Sequence, residues 1–274
     1  EWTDATWSPV TGCTKVSAGC RGCYAERLFP RVYGRDLVVD EGGPRPRKFT
    51  DVLMHQNRLE QPLHWKQPRR VFVNSMSDLF HEDIPNEFIV RVFAVMAEAQ
   101  QHVFQVLTKR PKRMLEMLSG PWINWNPWPL PNVHLLVSIE NQETANERIP
   151  LLLRTPAAVR GVSAEPLLGP VDFTRIPIDN GAVLNCLNGF EDYRGPEIMG
   201  SGWGSKKLQW VIAGCESGPK ARPMDLAWVR SIRDQCTEAG VPLFVKQLTG
   251  RKVIKNLEDF PEDLRIRQYP GTWK

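Results

Sequence analysis

Short apolar runs that end in polar residues recur along the chain and form its strongest pattern. Six of them cover residues 70–73, 102–107, 133–137, 158–162, 210–213 and 243–245. Each run is rich in β-branched and aromatic residues and is followed by turn-favouring residues, as is typical of β-strands. A further run lies near residues 5–10. The pattern therefore predicts seven strands.

Helical periodicity appears between several of these predicted strands. Within residues 86–101, apolar residues at positions 88, 89, 92, 93 and 96 follow the spacing of one helix face. Two more helices are predicted over residues 141–153 and 226–239, the latter ending at Gly240. Strands that alternate with helices predict an α/β fold with a parallel sheet and crossover helices. We therefore expect a complete or partial (β/α) TIM-like barrel, with a doubly wound sheet as the alternative.

Two polar segments interrupt this alternation. Residues 31–48 contain Gly42-Gly43-Pro44 and several Arg, and residues 177–207 contain many Gly and Asn without a clear period. We interpret both as insertions or lids within a single domain, 1–274, rather than as domains of their own. The length of 274 residues suits one barrel domain.

Polar side chains follow the predicted strands closely. Asp78, Lys109 and Lys246 each lie just past a strand. Three other strands end in Ser or Gly with a Glu two residues later, namely Ser138 with Glu140, Ser163 with Glu165, and Gly214 with Glu216. The loops after parallel strands gather on one face, and carboxylates buried together there need cations or hydrogen-bond donors. The pattern predicts a site for a polar ligand that carries amines, hydroxyls or a metal.

The six cysteines do not form a disulfide pattern. Three of them, Cys13, Cys20 and Cys23, lie in one loop after the first predicted strand, separated by six and then two residues. Clustered cysteines in a chain of this length indicate metal binding in a reducing setting, so we expect a cytoplasmic protein. The sequence has no run of 18 apolar residues, and no membrane span is expected.

Three thiolates at this spacing can bind three irons of a [4Fe–4S] cluster and leave the fourth iron open for a small molecule. Zinc is the alternative, but a zinc site needs a fourth ligand. Only one C-x-x-C pair is present and the five His are isolated, so a distant Cys or His would have to complete it. Cys186 and Cys236 lack cluster spacing. Cys215 lies at a strand end that faces the predicted site, where it could donate a hydrogen atom or carry a thiyl radical.

A loop with three cysteines after the first strand of a (β/α) barrel resembles the radical S-adenosylmethionine (SAM) superfamily. The usual spacing there is three and then two residues, so this chain keeps only the second half of that motif. The chain more closely resembles a phage and bacterial three-Cys-motif family of largely uncharacterised proteins. The matching stretches, which span most of the chain, are residues 7–13, 73–81, 107–111, 162–170 and 216–219.

The resemblance implies a cluster on Cys13, Cys20 and Cys23 whose open iron chelates SAM. An electron from a reductase, ferredoxin or flavodoxin would cleave SAM to a 5′-deoxyadenosyl radical, which takes hydrogen from a substrate. It also implies SAM contacts at the ends of several strands. These are Ser75, Ser77 and Asp78 for the amino group, Ser138 and Glu140 for the ribose, and Ser163, Glu165 and Glu216 around the adenine and methionine. Cys215 and Glu216 are the candidate catalytic residues.

Basic residues occur in groups at 45–48, 66–70, 109–113 and 206–207, although a net charge of +4 does not by itself indicate nucleic acid. If these groups share a face with the pocket, a nucleic acid or nucleotide substrate is favoured; otherwise they form a solvated surface. Two other functions remain open. One is a zinc- or cluster-stabilised nucleic-acid-binding protein without catalysis. The other is a divalent-metal barrel hydrolase that uses Asp78, Glu140, Glu165 and Glu216.

Overall fold

A sheet of seven parallel strands forms the centre of the protein. The structure, a computed structural model, describes residues 2–178, 181–192, 206–250 and 252–271. The strands are β1 (Ala5–Trp7), β2 (Arg70–Val73), β3 (Val103–Thr108), β4 (Val133–Ile139), β5 (Val159–Ala164), β6 (Trp210–Gly214) and β7 (Leu243–Gln247). All seven predicted strands are confirmed. Several of them continue one or two residues beyond the apolar run, into the polar positions that follow.

The strands lie in the sheet in the order in which they occur in the sequence, from β1 at one edge to β7 at the other. Neighbouring strands are parallel, so that Ser138 of β4 lies beside Ser163 of β5, which lies beside Ile212 of β6. In a doubly wound sheet the order of the strands reverses direction after the first strands. The sequential order seen here has no such reversal, so the doubly wound alternative is wrong. The sheet curls into a half-barrel, in agreement with the predicted partial barrel.

Five α-helices accompany the sheet within the described residues. They are α1 (Tyr24–Tyr33), α2 (Asn86–Glu98), α3 (Pro111–Leu118), α4 (Gln142–Arg154) and α5 (Leu226–Ala239). The three predicted helices correspond to α2, α4 and α5. Their ends have local causes, since the Asn141 side chain accepts a hydrogen bond from the Thr144 amide at the start of α4 and Gly240 adopts a φ of 65° after α5. The sequence reasoning missed α1 and α3, which are short.

The two faces of the sheet pack differently. Side chains such as Val73, Val106 and Val137 belong to the main core, together with apolar residues of the helices such as Val92 and Ile149. The inner face of the half-barrel carries a smaller apolar cluster of Leu136, Trp210, Ile212 and Phe244. Because side chains alternate along a strand, Ser138 and Ser163 share this inner face and lie level with Ile212.

Small sheets form the connections. In the first predicted insertion, residues 31–33 belong to α1, and the insertion proper is a hairpin of Leu37–Asp40 and Gly43–Pro46. In the second, Ile176–Pro177, Val183–Asn185 and Phe190–Asp192 form an antiparallel sheet, while residues 179–180 and 193–205 lie outside the described residues.

The remaining short elements complete the described chain. Val10–Thr11 pairs antiparallel with Leu53–Met54. Short 3-10 helices cover Ala18–Cys20, Gln56–Arg58, Gln61–His64, Leu257–Asp259 and Glu262–Leu264. Across the four described ranges, every helix is too short or too polar to cross a bilayer.

Candidate functional site

A cavity of about 340 Å³ opens at the carboxyl ends of the strands. The sheet contributes inward-facing side chains to its wall, namely Phe72, Leu107, Ser138, Ser163, Ile212 and Lys246. The cysteine loop, residues 13–23, contributes Cys20, Gly22 and Cys23 to the same wall. A second cavity of about 140 Å³ shares several of these residues and is lined by all three cysteines of the loop. The candidate site therefore lies at the face where parallel α/β folds place their active sites.

Local backbone contacts fix the cysteine loop. The Cys13 amide donates to the Phe49 carbonyl at 2.9 Å, and the Cys23 amide donates to the Cys20 carbonyl at 3.3 Å, directly before α1. All three thiols are free and partly exposed. Within the four described ranges, no three His, Cys, Asp or Glu side chains are grouped so as to hold a metal ion. The thiols thus share a cavity without forming a preassembled single-ion site.

Arg110 connects the cysteine loop to β3. Its Nη1 lies 3.6 Å from Cys13 Sγ, its Nη2 donates to Thr14 Oγ1 at 2.8 Å, and its Nε donates to Glu82 Oε2 at 2.9 Å. Burial, with a smaller effect of Asp78, raises the pKa of Cys13 to about 11, and the Arg110 guanidinium opposes that rise. Because a metal-bound cysteine must be a thiolate, the cation next to Cys13 favours the ligand form.

Asp78 is engaged within the protein. Its carboxylate accepts hydrogen bonds from the Phe80 amide at 3.0 Å, from Thr108 Oγ1 at 2.7 Å and from the Lys109 amide at 2.9 Å. Arg110 Nη1 is 3.5 Å away. These contacts tie the loop after β2 to the end of β3. The role of Asp78 at the SAM amino group stays a prediction, and the contacts give the side chain a structural task.

Each of the three glutamates has its own cation. Glu140 is 1% exposed and lies 3.3 Å from Arg148 Nη1, and Glu165 accepts from Lys246 Nζ at 2.8 Å. Glu216 accepts from the Arg222 Nε at 3.0 Å, and the Arg222 contacts hold the pKa of Glu216 below its usual range. Carboxylates neutralised singly in this way do not form a shared divalent-metal site, which disfavours the hydrolase.

Two of these glutamates support the cysteine loop. Ser17 Oγ donates to Glu140 Oε1 at 2.8 Å. Gly19 packs so closely on Glu140 that an added Cβ would lie 2.4 Å from Oε1, and a Cβ on Gly22 would lie 2.3 Å from Glu216 Oε1. Glycine allows this close approach at both positions, because a larger residue would press on a carboxylate that an arginine holds in place. The loop is therefore seated on the ends of β4 and β6.

The predicted serines separate into two pairs. Ser77 Oγ donates to the Val10 carbonyl at 2.8 Å, and the Ser75 carbonyl accepts from the Tyr24 hydroxyl at 2.5 Å. These contacts join the loop after β2 to neighbouring segments. Ser138 and Ser163 are buried side by side and line the 340 Å³ cavity. Their hydroxyls are therefore placed to meet a ligand in that cavity.

Cys215 is buried directly after β6 and lines the 340 Å³ cavity. Its amide donates to the Gln247 carbonyl at 3.2 Å, and its carbonyl accepts from Gln247 Nε2 at 2.7 Å. Burial raises the pKa of its thiol, which keeps it protonated. Cys186 and Cys236 are also buried in the apolar core, but they line neither of the two cavities.

The predicted basic groups do not share one face. Arg70 begins β2 and residues 206–207 precede β6, so both groups lie at the amino ends of the strands, away from the cavities. Arg47 is buried, with its guanidinium 4.9 Å from the centre of the Phe29 ring. Only Lys109 and Arg110 of these groups line a cavity at the cysteines. The condition under which these groups would favour a nucleic-acid substrate, that all four share a face with the pocket, is therefore not met.

Sequence reasoning missed the side chains that position the predicted residues. They are Ser17, Gly19, Gly22, Arg110, Arg148 and Arg222. One local signal was present, since a glycine precedes both Cys20 and Cys23 directly. No local signal in the sequence indicates the arginines, because each of them contacts its partner only after the chain has folded.

Comparisons with known proteins identify the family. No curated protein and no solved structure matches the chain significantly. The family described as "Protein of unknown function (DUF5131)" matches residues 1–269. Because this match covers nearly all of the 274 residues, the chain belongs to the DUF5131 family.

Proposed function

We propose that this protein is a radical SAM-type enzyme that binds a [4Fe–4S] cluster through Cys13, Cys20 and Cys23. The observation that carries the proposal is that all three thiols line one cavity, which adjoins a larger cavity inside a parallel half-barrel. Three soft thiolates leave one iron of such a cluster open, and the larger cavity gives a second ligand room beside it.

The donor set fits this group. The thiols are free, they come from one glycine-containing loop, and Arg110 supplies positive charge beside Cys13. When bound, the cluster supplies the one-electron cleavage of SAM that starts hydrogen abstraction from a substrate. The electron would come from a reductase, a ferredoxin or a flavodoxin.

The chain's own residues would orient and shield the ligands. The hydroxyls of Ser138 and Ser163 suit the hydroxyl groups of a ribose, and the Glu165–Lys246 pair lies on the same cavity wall. Glu140 and Glu216 would act mainly through the loop, because Arg148 and Arg222 already pair with them. Cys215 presents a protonated thiol to the cavity, which suits a hydrogen donor.

Anaerobic reconstitution with iron and sulfide tests the proposal. We expect an EPR signal of a reduced [4Fe–4S] cluster that changes when SAM is added, together with release of 5′-deoxyadenosine. Cys20→Ala should abolish both. Cys236→Ala is the matched control, since this thiol is buried in the core away from the loop, and it should keep the signal. Tight zinc with no cluster would contradict the proposal and favour a binding protein without catalysis.

A further inference from the structure

A third cavity, of about 460 Å³, opens next to the candidate site. Cys215 and Glu216 line both this cavity and the 340 Å³ cavity, so the two spaces adjoin each other. The third cavity is formed by the loops after β6 and β7 and includes Lys220, Arg222 and Lys252 in its wall. We call it the lysine cleft.

The walls of these two cavities hold the excess positive charge of the protein. Their basic residues are Lys109, Lys220, Arg222, Lys246, Lys252 and Lys255, and their acidic residues are Glu165 and Glu216. The whole chain has 35 basic and 31 acidic residues, a net charge of +4. Setting aside these six and two residues leaves 29 of each sign. The two cavity walls thus carry a net charge of +4, as large as that of the whole chain.

Three of these cations are unpaired. Arg222 and Lys246 are neutralised by Glu216 and Glu165. Lys220, Lys252 and Lys255 are exposed, and none of their ammonium groups has a hydrogen-bond or ion-pair partner among the residues that the structure describes. Unpaired ammonium groups around a concave surface attract anions, and the low-dielectric walls focus that attraction.

We propose that the joined cavities bind a phosphate-bearing substrate, with phosphate at Lys220, Lys252 and Lys255. Phosphate is favoured over a single carboxylate because it brings more charge and more acceptor oxygens to three lysines, which bind it as point charges. Trp2, Leu107 and Ile212 line the other cavity and would accept an apolar or flat part of the same molecule. This inference rests on the proposed function in taking that cavity as the place of reaction.

A nucleotide and a nucleic-acid strand both offer this chemistry, and binding measurements separate them. The probe is a fluorescein-labelled single-stranded oligonucleotide followed by anisotropy, with thymidine triphosphate and inorganic tripolyphosphate as competitors. The test variant is K220Q/K252Q/K255Q. The matched control is K66Q/K206Q/K207Q. It removes the same charge from lysines that precede β2 and β6, at the amino ends of the strands and away from the cavities.

We expect the test variant to bind at least about tenfold more weakly than wild type in 50 mM salt. Its slope of log K against log salt should fall by about 2, since each phosphate contact to a single strand contributes about 0.7. The control variant should bind like wild type. Affinity that grows with oligonucleotide length identifies a strand, whereas equal binding of the triphosphate identifies a nucleotide, and both results support the proposal.

Equal losses of affinity in the two variants, or no binding of any of the three probes, would overturn the proposed phosphate site. The measurement is made with and without the reconstituted cluster, so the two proposals fail separately. A protein that binds phosphate at these lysines but does not cleave SAM contradicts only the proposed function. A protein that cleaves SAM, while the test variant binds like wild type, contradicts only the phosphate site.

Discussion

The buried ion pair of Glu140 and Arg148 supports the end of β4, and removing its cation tests that support. The two side chains are 1% and 2% exposed, and Arg148 Nη1 lies 3.3 Å from both carboxylate oxygens. The same nitrogen donates to the Ser138 carbonyl at 2.7 Å. In Arg148→Met the carboxylate keeps Ser17 as a donor, with Lys109 Nζ 3.9 Å away. Leaving a buried charge without its partner costs about 3–5 kcal/mol, and we expect a loss of this size in the free energy of unfolding.

The double variant E140Q/R148M separates the charge from the packing. Because it removes both members of the pair and Lys109 is partly exposed, no fully buried charge is left without a partner, and we expect it to unfold within about 2 kcal/mol of wild type. Urea unfolding followed by the fluorescence of the ten tryptophans measures both variants. A double variant that is as unstable as Arg148→Met would refute the reasoning, since the loss would then come from shape and not from an unpaired carboxylate.

Three further predictions follow from single contacts. Gly22→Ala places a Cβ against the Glu216 carboxylate, which Arg222 holds, so reconstituted protein should retain less iron than wild type, whereas Gly42→Ala, whose Cβ meets its nearest atom at 3.4 Å, should retain it all. Hydrogen bonds from Arg45 lower the pKa of Asp51 to about 2. The ionised Asp51 therefore stabilises the fold above about pH 4, and this stabilisation is lost as the pH falls through 2. Asp51→Asn should therefore lower the free energy of unfolding by about 1 kcal/mol at pH 7 and by little at pH 2. An equal loss at the two pH values would contradict this role of Asp51. Burial lowers the pKa of His134 from 6.5 to about 4, so stability should fall by about 3 kcal/mol from pH 6.5 to 4 in urea unfolding, and His134→Gln should show a flatter profile.

The sequence predicted the strands and the face of the site because both depend on local or topological rules. A run such as residues 210–213 has the composition of a buried strand in any context, and the carboxyl ends of parallel strands meet at one edge. The position of Ser138 beside Ser163 follows from that register. The pairing of Glu216 with Arg222 does not follow from the register of the strands, because the conformation of the loop between these two residues decides it.

The two missed helices have a physical explanation of the same kind. α1 begins directly after Cys23 and buries only Ala25 and Phe29, and α3 spans eight residues. Helices this short are marginal on their own and form because tertiary contacts complete them. Their patterns are correspondingly too short to stand out from a loop, whereas α5, with fourteen residues, was predicted at both ends.

The six-residue interval between Cys13 and Cys20 has a structural cause. Ser17 and Gly19 lie within it and contact Glu140 at the end of β4, while Gly22 contacts Glu216 after β6. The 3-10 turn of Ala18–Cys20 and the Ser17 contact use the three residues directly before Cys20, and the additional residues 14–16 bring Thr14 to Arg110. The longer loop therefore crosses the mouth of the half-barrel and is held on both sides of it, with Arg148 and Arg222 fixing the two carboxylates. Under the proposed function, the six-residue interval determines how the loop is anchored, while the three thiols stay on one cavity.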